Sequence, residues 1–333
     1  MLDASDSASP LSYQARFHRA WGHLTRPAVR ALAWLLDSPD LLDPASPHWQ
    51  DRIATLGPPS AATATWLAAL DADPAPLDAA LGNKFYSRLG LYAEKLMAFY
   101  FEQHGVLQAH GLQVRSARNE TVGEFDFLLR QRGELVHIEF ATKFYLLDGQ
   151  PDPGNFNRLV GPNLADTLGL KMRKIFAQQL QLAWHPAAQA MLAQPVDKAQ
   201  ALIKGWLFYP QQNPPVFEGV SPGHCRGHWR TLEEFGAVAG ERFVVMPRLQ
   251  WLAPLKATAA PVNGEPAPTP PAQERDALQA LLREKFAQDP SPVMVATVRE
   301  EAGWLLETER AFVVPDDWRE RAAARRSAGD LPS

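Results

Sequence analysis

Two acids in one short stretch are spaced for joint work. In Gly123-Glu124-Phe125-Asp126-Phe127-Leu128-Leu129-Arg130 and in Val136-His137-Ile138-Glu139-Phe140-Ala141-Thr142-Lys143, polar and apolar residues alternate. On a strand, alternate side chains share a face. Glu124, Asp126, Leu128 and Arg130 then point one way, and Phe125, Phe127 and Leu129 the other. In the second run His137, Glu139, Ala141 and Lys143 oppose Val136, Ile138, Phe140 and Thr142. The intervening Gln131-Arg132-Gly133-Glu134 suits a tight hairpin turn centred on Arg132-Gly133. That turn pairs Gln131 with Glu134, and counting back puts Asp126 opposite Glu139 and Glu124 opposite Ala141. Directly opposed side chains stand roughly 4.5–5.5 Å apart at Cβ, and like charges there repel. Two such carboxylates need a shared proton or a cation. Mg²⁺ (or Mn²⁺), held by one or two carboxylates with water and phosphate, meets that need. Without a metal, the same residues make an ordinary acidic sheet face.

Other residues have both a chemical and a plain reading. Lys143 serves the acids or forms a structural ion pair with Glu124. Glu94, a lone acid on an apolar helix, needs a partner: the site, or else Arg118 or Lys143. Arg115 and Arg118 could contact phosphate or finish a solvated strand end. His137 reads as a sheet-face histidine rather than a ligand. Gln178 and Gln179 read as cover for a helix surface. His224, Cys225 and His228 have the residue types for zinc but no fourth ligand at a recognisable spacing. The tryptophans, Trp206, Trp229, Trp251, Trp304 and Trp318 among them, could stack on bases, yet at strand positions they serve as core.

The elements that must carry these residues follow from apolar periodicity. Residues 12–37 are helical, with Phe17, Trp21, Leu24, Val29, Leu32 and Leu36 recurring. A Pro/Ala/Asp-rich stretch to Pro76 surrounds one short helix at 61–70. Residues 89–104 form a buried helix stopped by Gly105. Strands are expected at 112–118, 124–130 and 135–145, then a loop at 148–163, a helix at 165–184 and a strand at 204–209. Farther on, apolar runs at 243–255, 293–299, 304–306 and 312–315 flank a helix at 273–287. A Pro/Ala-rich linker or long loop covers 257–272, the first ten residues read as frayed, and the charged, small-residue-rich tail 319–333 reads as a frayed helix. The expected organisation is an N-terminal helical and loop region over 1–84, a core over 85–210, and a C-terminal α+β extension over 211–333 packed on that core.

Bulk properties narrow the class. The 333 residues are 46% hydrophobic, enough for a sizeable core. No apolar run approaches about 18 residues without a charge, so no membrane span is expected. The start of the chain lacks a basic region followed by an apolar stretch, and the single cysteine forbids an internal disulfide, so a cytoplasmic location is expected. The net charge of −4 argues against a coat for nucleic acid, though not against a small basic channel.

Gly-Glu-Phe-Asp at 123–126, a short turn, and His-Ile-Glu-Phe-Ala-Thr-Lys at 137–143 together resemble the PD-(D/E)XK nuclease superfamily, and especially the archaeal Holliday-junction resolvases. The order helix, three strands, helix, strand over 85–210 matches as well. Gly-Pro-Asn at 161–163, Asp166, Leu168, Lys171 and the Phe-Val-Val-Pro-Asp-Asp-Trp end are similar to a bacterial domain-of-unknown-function family, number 1853, across most of the chain. The superfamily resemblance implies a restriction-endonuclease-like αβββαβ core with a mixed central sheet, an α/β (α+β) fold. It implies Mg²⁺- or Mn²⁺-dependent cleavage of DNA or RNA phosphodiester bonds. Asp126 and Glu139 would hold the metal with help from the Ala141 carbonyl, Lys143 would orient water or stabilise developing charge, and Glu94 would act from the outer sphere. One departure stands out: Ala141 occupies the position of the superfamily's lysine. At about 3.3 Å per residue, Lys143 lies roughly 13 Å along the strand from Glu139. A bulge near Ala141, the long lysine arm, or Lys171 or Lys174 from the next helix could restore the ammonium. Otherwise the fold would serve only to bind nucleic acid or a protein partner.

Overall fold

The computed structural model describes residues 12–82, 86–116, 118, 120–150, 156–210, 215–240, 242–259, 269–329 and 331; the first ten residues, residues 260–268 of the expected linker and the last two residues lie outside that set. The central hairpin forms as its turn chemistry demands. Arg132 and Gly133 both adopt positive φ (51° and 89°), which matches the right-handed twist of the flanking strands. Strands β1 (Leu107–Arg115), β2 (Thr121–Gln131) and β3 (Glu134–Leu147) run antiparallel in turn. Then come β4 (Leu159–Val160), β5 (Lys198–Tyr209), β6 (Cys225–Thr231), β7 (Arg242–Val245), β8 (Lys256–Thr258), β9 (Val293–Glu301) and β10 (Trp304–Val314). Among the described residues they make one mixed sheet in the order β1-β2-β3-β5-β6-β10-β9-β7, with β4 on β3 and β8 on β10. The contacts β3–β5, β5–β6 and β6–β10 are parallel; the rest are antiparallel.

Helices cover both faces. On one side lie α1 (Tyr13–Trp21), α2 (Pro27–Asp37), α3 (Ala61–Ala72), α4 (Ala75–Leu81) and α5 (Leu89–Gln103), packed with Val136, Ile138 and Phe140 of β3. On the other lies a composite helix: α6 (Leu168–Lys174), a π turn over Ile175–Gln179 and a 3-10 turn over Leu180–Trp184, followed by α7 (Pro186–Met191). Leu168, Met172, Ile175 and Leu182 bury its apolar stripe against Leu128, Leu135 and Ala141. The side of the hairpin that carries the acids is therefore an interior face. A third cluster joins α8 (Leu232–Phe235) and α9 (Arg275–Gln288) to β9 and β10, and α10 (Trp318–Ser327) closes the fold.

Several expected boundaries move. Residues 12–37 are two helices, because Gly22 and Pro27 bracket a turn and Pro27 opens α2, where its missing N–H is not needed. β1 begins five residues earlier than its apolar run, and β5 six residues earlier; both extensions are paired with a neighbouring strand. The runs 304–306 and 312–315 are one strand, β10, in whose charged middle Glu307 and Arg310 are buried as a pair. Lys256–Thr258, at the start of the expected linker, pairs with β10.

Candidate functional site

The β2–β3 ladder begins at Gln131–Glu134 and ends at Phe127–Ile138, in the register the turn dictates. One step farther, the Asp126 carboxylate replaces the ladder: its Oδ2 accepts a hydrogen bond from the Phe140 backbone N–H at 2.9 Å. The alternation of β2 breaks here. Phe127 belongs to the core beneath α5, whereas Phe125 packs on the opposite side with its ring edge-on to His137 at 4.7 Å. Asp126 is thus held by main chain where β2 leaves β3.

Glu139 is 2% exposed and faces Asp126. Burial, and then the Asp126 charge, raise its proton affinity well above the ordinary carboxylate range. Asp126 is raised as well, first by burial, with the Phe140 N–H opposing and the Glu94 charge adding. Glu139 Oε1 accepts from the Gln179 amide, and Gln179 Oε1 accepts from Lys171 Nζ at 3.1 Å. The π turn lies at the point in the helix that aims Gln179 inward, a use such turns commonly have. Glu139 Oε2 is buried and has no hydrogen-bond donor among the described residues.

These groups line a cleft of about 830 Å³. α5 contributes Glu94, which is hydrogen-bonded to His110 Nε2 at 2.7 Å rather than to Arg118 or Lys143. β3 contributes Lys143, largely buried; burial lowers its proton affinity and Asp166 opposes that shift. β3 pairs with β5 without a break from Val136 to Leu146, so no bulge draws Lys143 back towards Glu139. The loop Gly161–Asp166 forms another wall. Leu164 is strained there at φ 58°, and Asp166 Oδ2 accepts from Tyr145 Oη at 3.0 Å. Arg248, Trp251 and Ser291 bring in the C-terminal third of the chain.

The cleft thus gathers Glu94, Asp126, Glu139, Lys143 and Lys171. Arg115, Arg118 and Lys174 are exposed and lie outside it. Gln179 joins it although sequence gave it a covering role; only the helix's change of pitch at Ile175 turns it inward. His137 is fully buried with neither ring nitrogen bonded, and burial pushes it down to about 4. His224 bonds Tyr209 Oη at 2.8 Å and the Ser221 carbonyl, and Cys225 is a buried core thiol. Among the described residues no three His, Cys, Asp or Glu side chains stand together as a ready-made metal cage, and no helix is long and apolar enough to cross a membrane.

No curated protein and no solved structure matched the chain. One family model did, over residues 30–314, and the chain accordingly belongs to DUF1853, a domain family of unknown function.

Proposed function

We propose that the cleft is the site of a metal-dependent phosphodiesterase acting on DNA or RNA, with Asp126 and Glu139 as ligands to Mg²⁺ or Mn²⁺. The supporting observation is the buried pair itself: burial raises the proton affinity of both carboxylates, the Asp126 charge raises that of Glu139 further, and Glu139 Oε2 lacks any donor among the described residues. A divalent cation fits that donor set, since it replaces the proton that burial otherwise favours on the pair and adds ligands from water and phosphate. When bound, the metal supplies Lewis-acid polarisation and a water of lowered pKa. Apart from the two-residue β4 and the short α7, the order α5-β1-β2-β3-α6-β5, with β3 and β5 parallel, agrees with a restriction-endonuclease-like core.

The protein's own residues divide the remaining work. The Phe140 N–H fixes the Asp126 carboxylate. Gln179 orients Glu139 and at the same time holds Lys171, so an ammonium stands beside the pair despite Ala141. Lys171 is therefore the lysine we assign to charge stabilisation at a phosphate. Lys143, tied electrostatically to Asp166, holds the far side of the cleft. A second reading, a nucleic-acid-binding protein with no hydrolytic activity, draws on the same Gln179 bridge, which occupies Glu139 Oε1.

The test is cleavage of single-stranded, duplex and branched DNA and RNA with Mg²⁺ or Mn²⁺. Asp126→Asn and Glu139→Gln should abolish cleavage and the thermal shift caused by Mn²⁺ while leaving the fold intact. Lys171→Ala should lower the rate about 10²–10³-fold with little change in the Mn²⁺ shift; Lys143→Ala should cost less. Cleavage that survives Asp126→Asn defeats the assignment. Binding of nucleic acid without cleavage by any metal supports the second reading.

A further inference from the structure

The acid cleft uses one side of the composite helix; the other side forms a second cleft of about 400 Å³. Trp49, Gly169 and Met172 are buried at its base, and Arg52, Arg173 and His48 stand towards solvent. Trp49 stacks on Phe156 at 5.6 Å and on Phe176 at 5.1 Å, with ring planes within 22°. The Arg52 guanidinium then covers Phe176 at 4.8 Å. Among the described residues no carboxylate lines this cleft.

The arginines carry the charge of this cleft. Some arginines elsewhere meet acids, as Arg310 does Glu307 and Arg326 does Asp148, and the buried Arg30 is used up on three main-chain carbonyls. Among the described residues, Arg52 donates only to neutral oxygens, the Trp49 carbonyl at 3.3 Å and Gln50 Oε1 at 3.2 Å, and Arg173 only to Asn157 Oδ1 at 3.4 Å. Two guanidinium charges on one concavity, in a chain of net charge −4, are left for an outside anion. Stacking on an aromatic face keeps the planar edge of an arginine free to meet phosphate with two hydrogen bonds.

Arg52 is also placed with some force. Gln50 and Asp51, just before it, both sit at positive φ (51° and 57°), a conformation costly for Gln and better tolerated by Asp. Sheet contacts hold that strain: Ala201 N–H donates to the Arg52 carbonyl, Ala54 N–H to the Ala201 carbonyl, and Trp49 Nε1 to the Gly219 carbonyl.

We infer that this second cleft binds a nucleotide-sized phosphate ester, with Arg52 and Arg173 on the phosphate and the Trp49–Phe176 wall against the apolar part. The volume, near the lower end of small-ligand pockets at roughly 300–1,000 Å³, suits one nucleotide unit rather than a duplex. The unit is either a free mononucleotide or a phosphate-bearing end of a single strand. The inference stands independently of the reading of the acid cleft.

The experiment is calorimetric titration of the full chain with AMP, inorganic phosphate and adenosine, followed by competition between AMP and short oligo-dT with or without a 5′-phosphate. AMP should bind saturably and at least about tenfold more tightly than phosphate or adenosine. Arg173→Ala, which leaves the aromatic stack in place, should weaken AMP about tenfold or more, as should Arg52→Lys, which keeps charge but loses the planar fork. Glu139→Gln should leave AMP binding unchanged. Competition by 5′-phosphorylated oligo-dT identifies a strand end as the ligand, and its absence a free nucleotide. Failure of AMP to bind, binding unaffected by both arginine variants, or binding lost in Glu139→Gln overturns the inference.

Discussion

Burial acts on the acids and on the histidines in opposite directions. Taking Asp126 and Glu139 out of water favours the protonated, neutral form, so both are raised; taking His137 and His224 out of water favours the deprotonated, neutral form, so both fall to about 4. Histidines ordinarily titrate near about 6.5. Between these values the unfolded histidines bind protons that the native ones refuse, so the histidines' contribution to stability is at its full value above about 6.5 and declines as pH falls towards about 4; the raised acids act with the opposite sign, losing stability as pH rises. His137 makes the cleaner test, because neither ring nitrogen has a partner to lose. His137→Leu should keep or raise the thermal midpoint at pH 7 and flatten its decline on acidification. A lower midpoint at pH 7, together with a weakened Mn²⁺ shift, would instead assign the imidazole to the site.

The acid cleft depends on how closely β3 and β5 approach. Gly205 lies opposite Lys143 in the parallel ladder, and a Cβ built on it would stand 2.1 Å from the Lys143 carbonyl oxygen. No rotamer change relieves a clash with main chain. Gly205→Ala should therefore destabilise by about 1–3 kcal/mol or more, read as a lowered denaturation midpoint in urea. Because the displaced strand carries Glu139 and Lys143, the Mn²⁺ shift should weaken too, although residue 205 itself touches neither acid. The composite helix is the second critical element. Its π turn sends Gln179 into the acid cleft, while Arg173 and Phe176 face the second cleft.

Across the whole molecule, one core draws on the N-terminal, central and C-terminal stretches of the chain. One apolar cluster runs from Phe17 to Leu331 and includes Phe127, Ile138 and Phe140 of the hairpin. Polar ties reinforce it. Arg30 donates to the carbonyls of Trp21, Leu24 and Pro254, and the fully buried Arg310 pairs with Glu307 at 2.7 Å while lying over Trp206. Glu307 also accepts from Gln14 and from the Leu255 N–H. Glu307→Ala would strand a buried guanidinium and should cost about 3–5 kcal/mol, measured by chemical denaturation. By the same logic a fragment of residues 85–210 should lack a cooperative thermal transition; a sharp calorimetric transition in that fragment would show that the N- and C-terminal segments are not needed to complete its core.

Local physics made part of this legible in the sequence. Alternation and the Arg132-Gly133 turn determine the hairpin and its register, because a two-residue turn leaves only one way to pair the strands. The apolar stripe of residues 168–182 determines that this helix lies on the core. Membership of Glu94 and Lys171 in a cleft with Asp126 and Glu139 was open to several alternatives, since their separation in sequence carries no distance. Charge in the middle of β10 hid a continuous strand, because the pairing of Glu307 with Arg310 inside the core has no local signature. The break in alternation at Asp126, the inward turn of Gln179 and the stacked cleft at Trp49 were decided only by tertiary structure. Each depends on what a distant segment supplies: the Phe140 N–H, the Glu139 carboxylate, and the Phe156 and Phe176 rings.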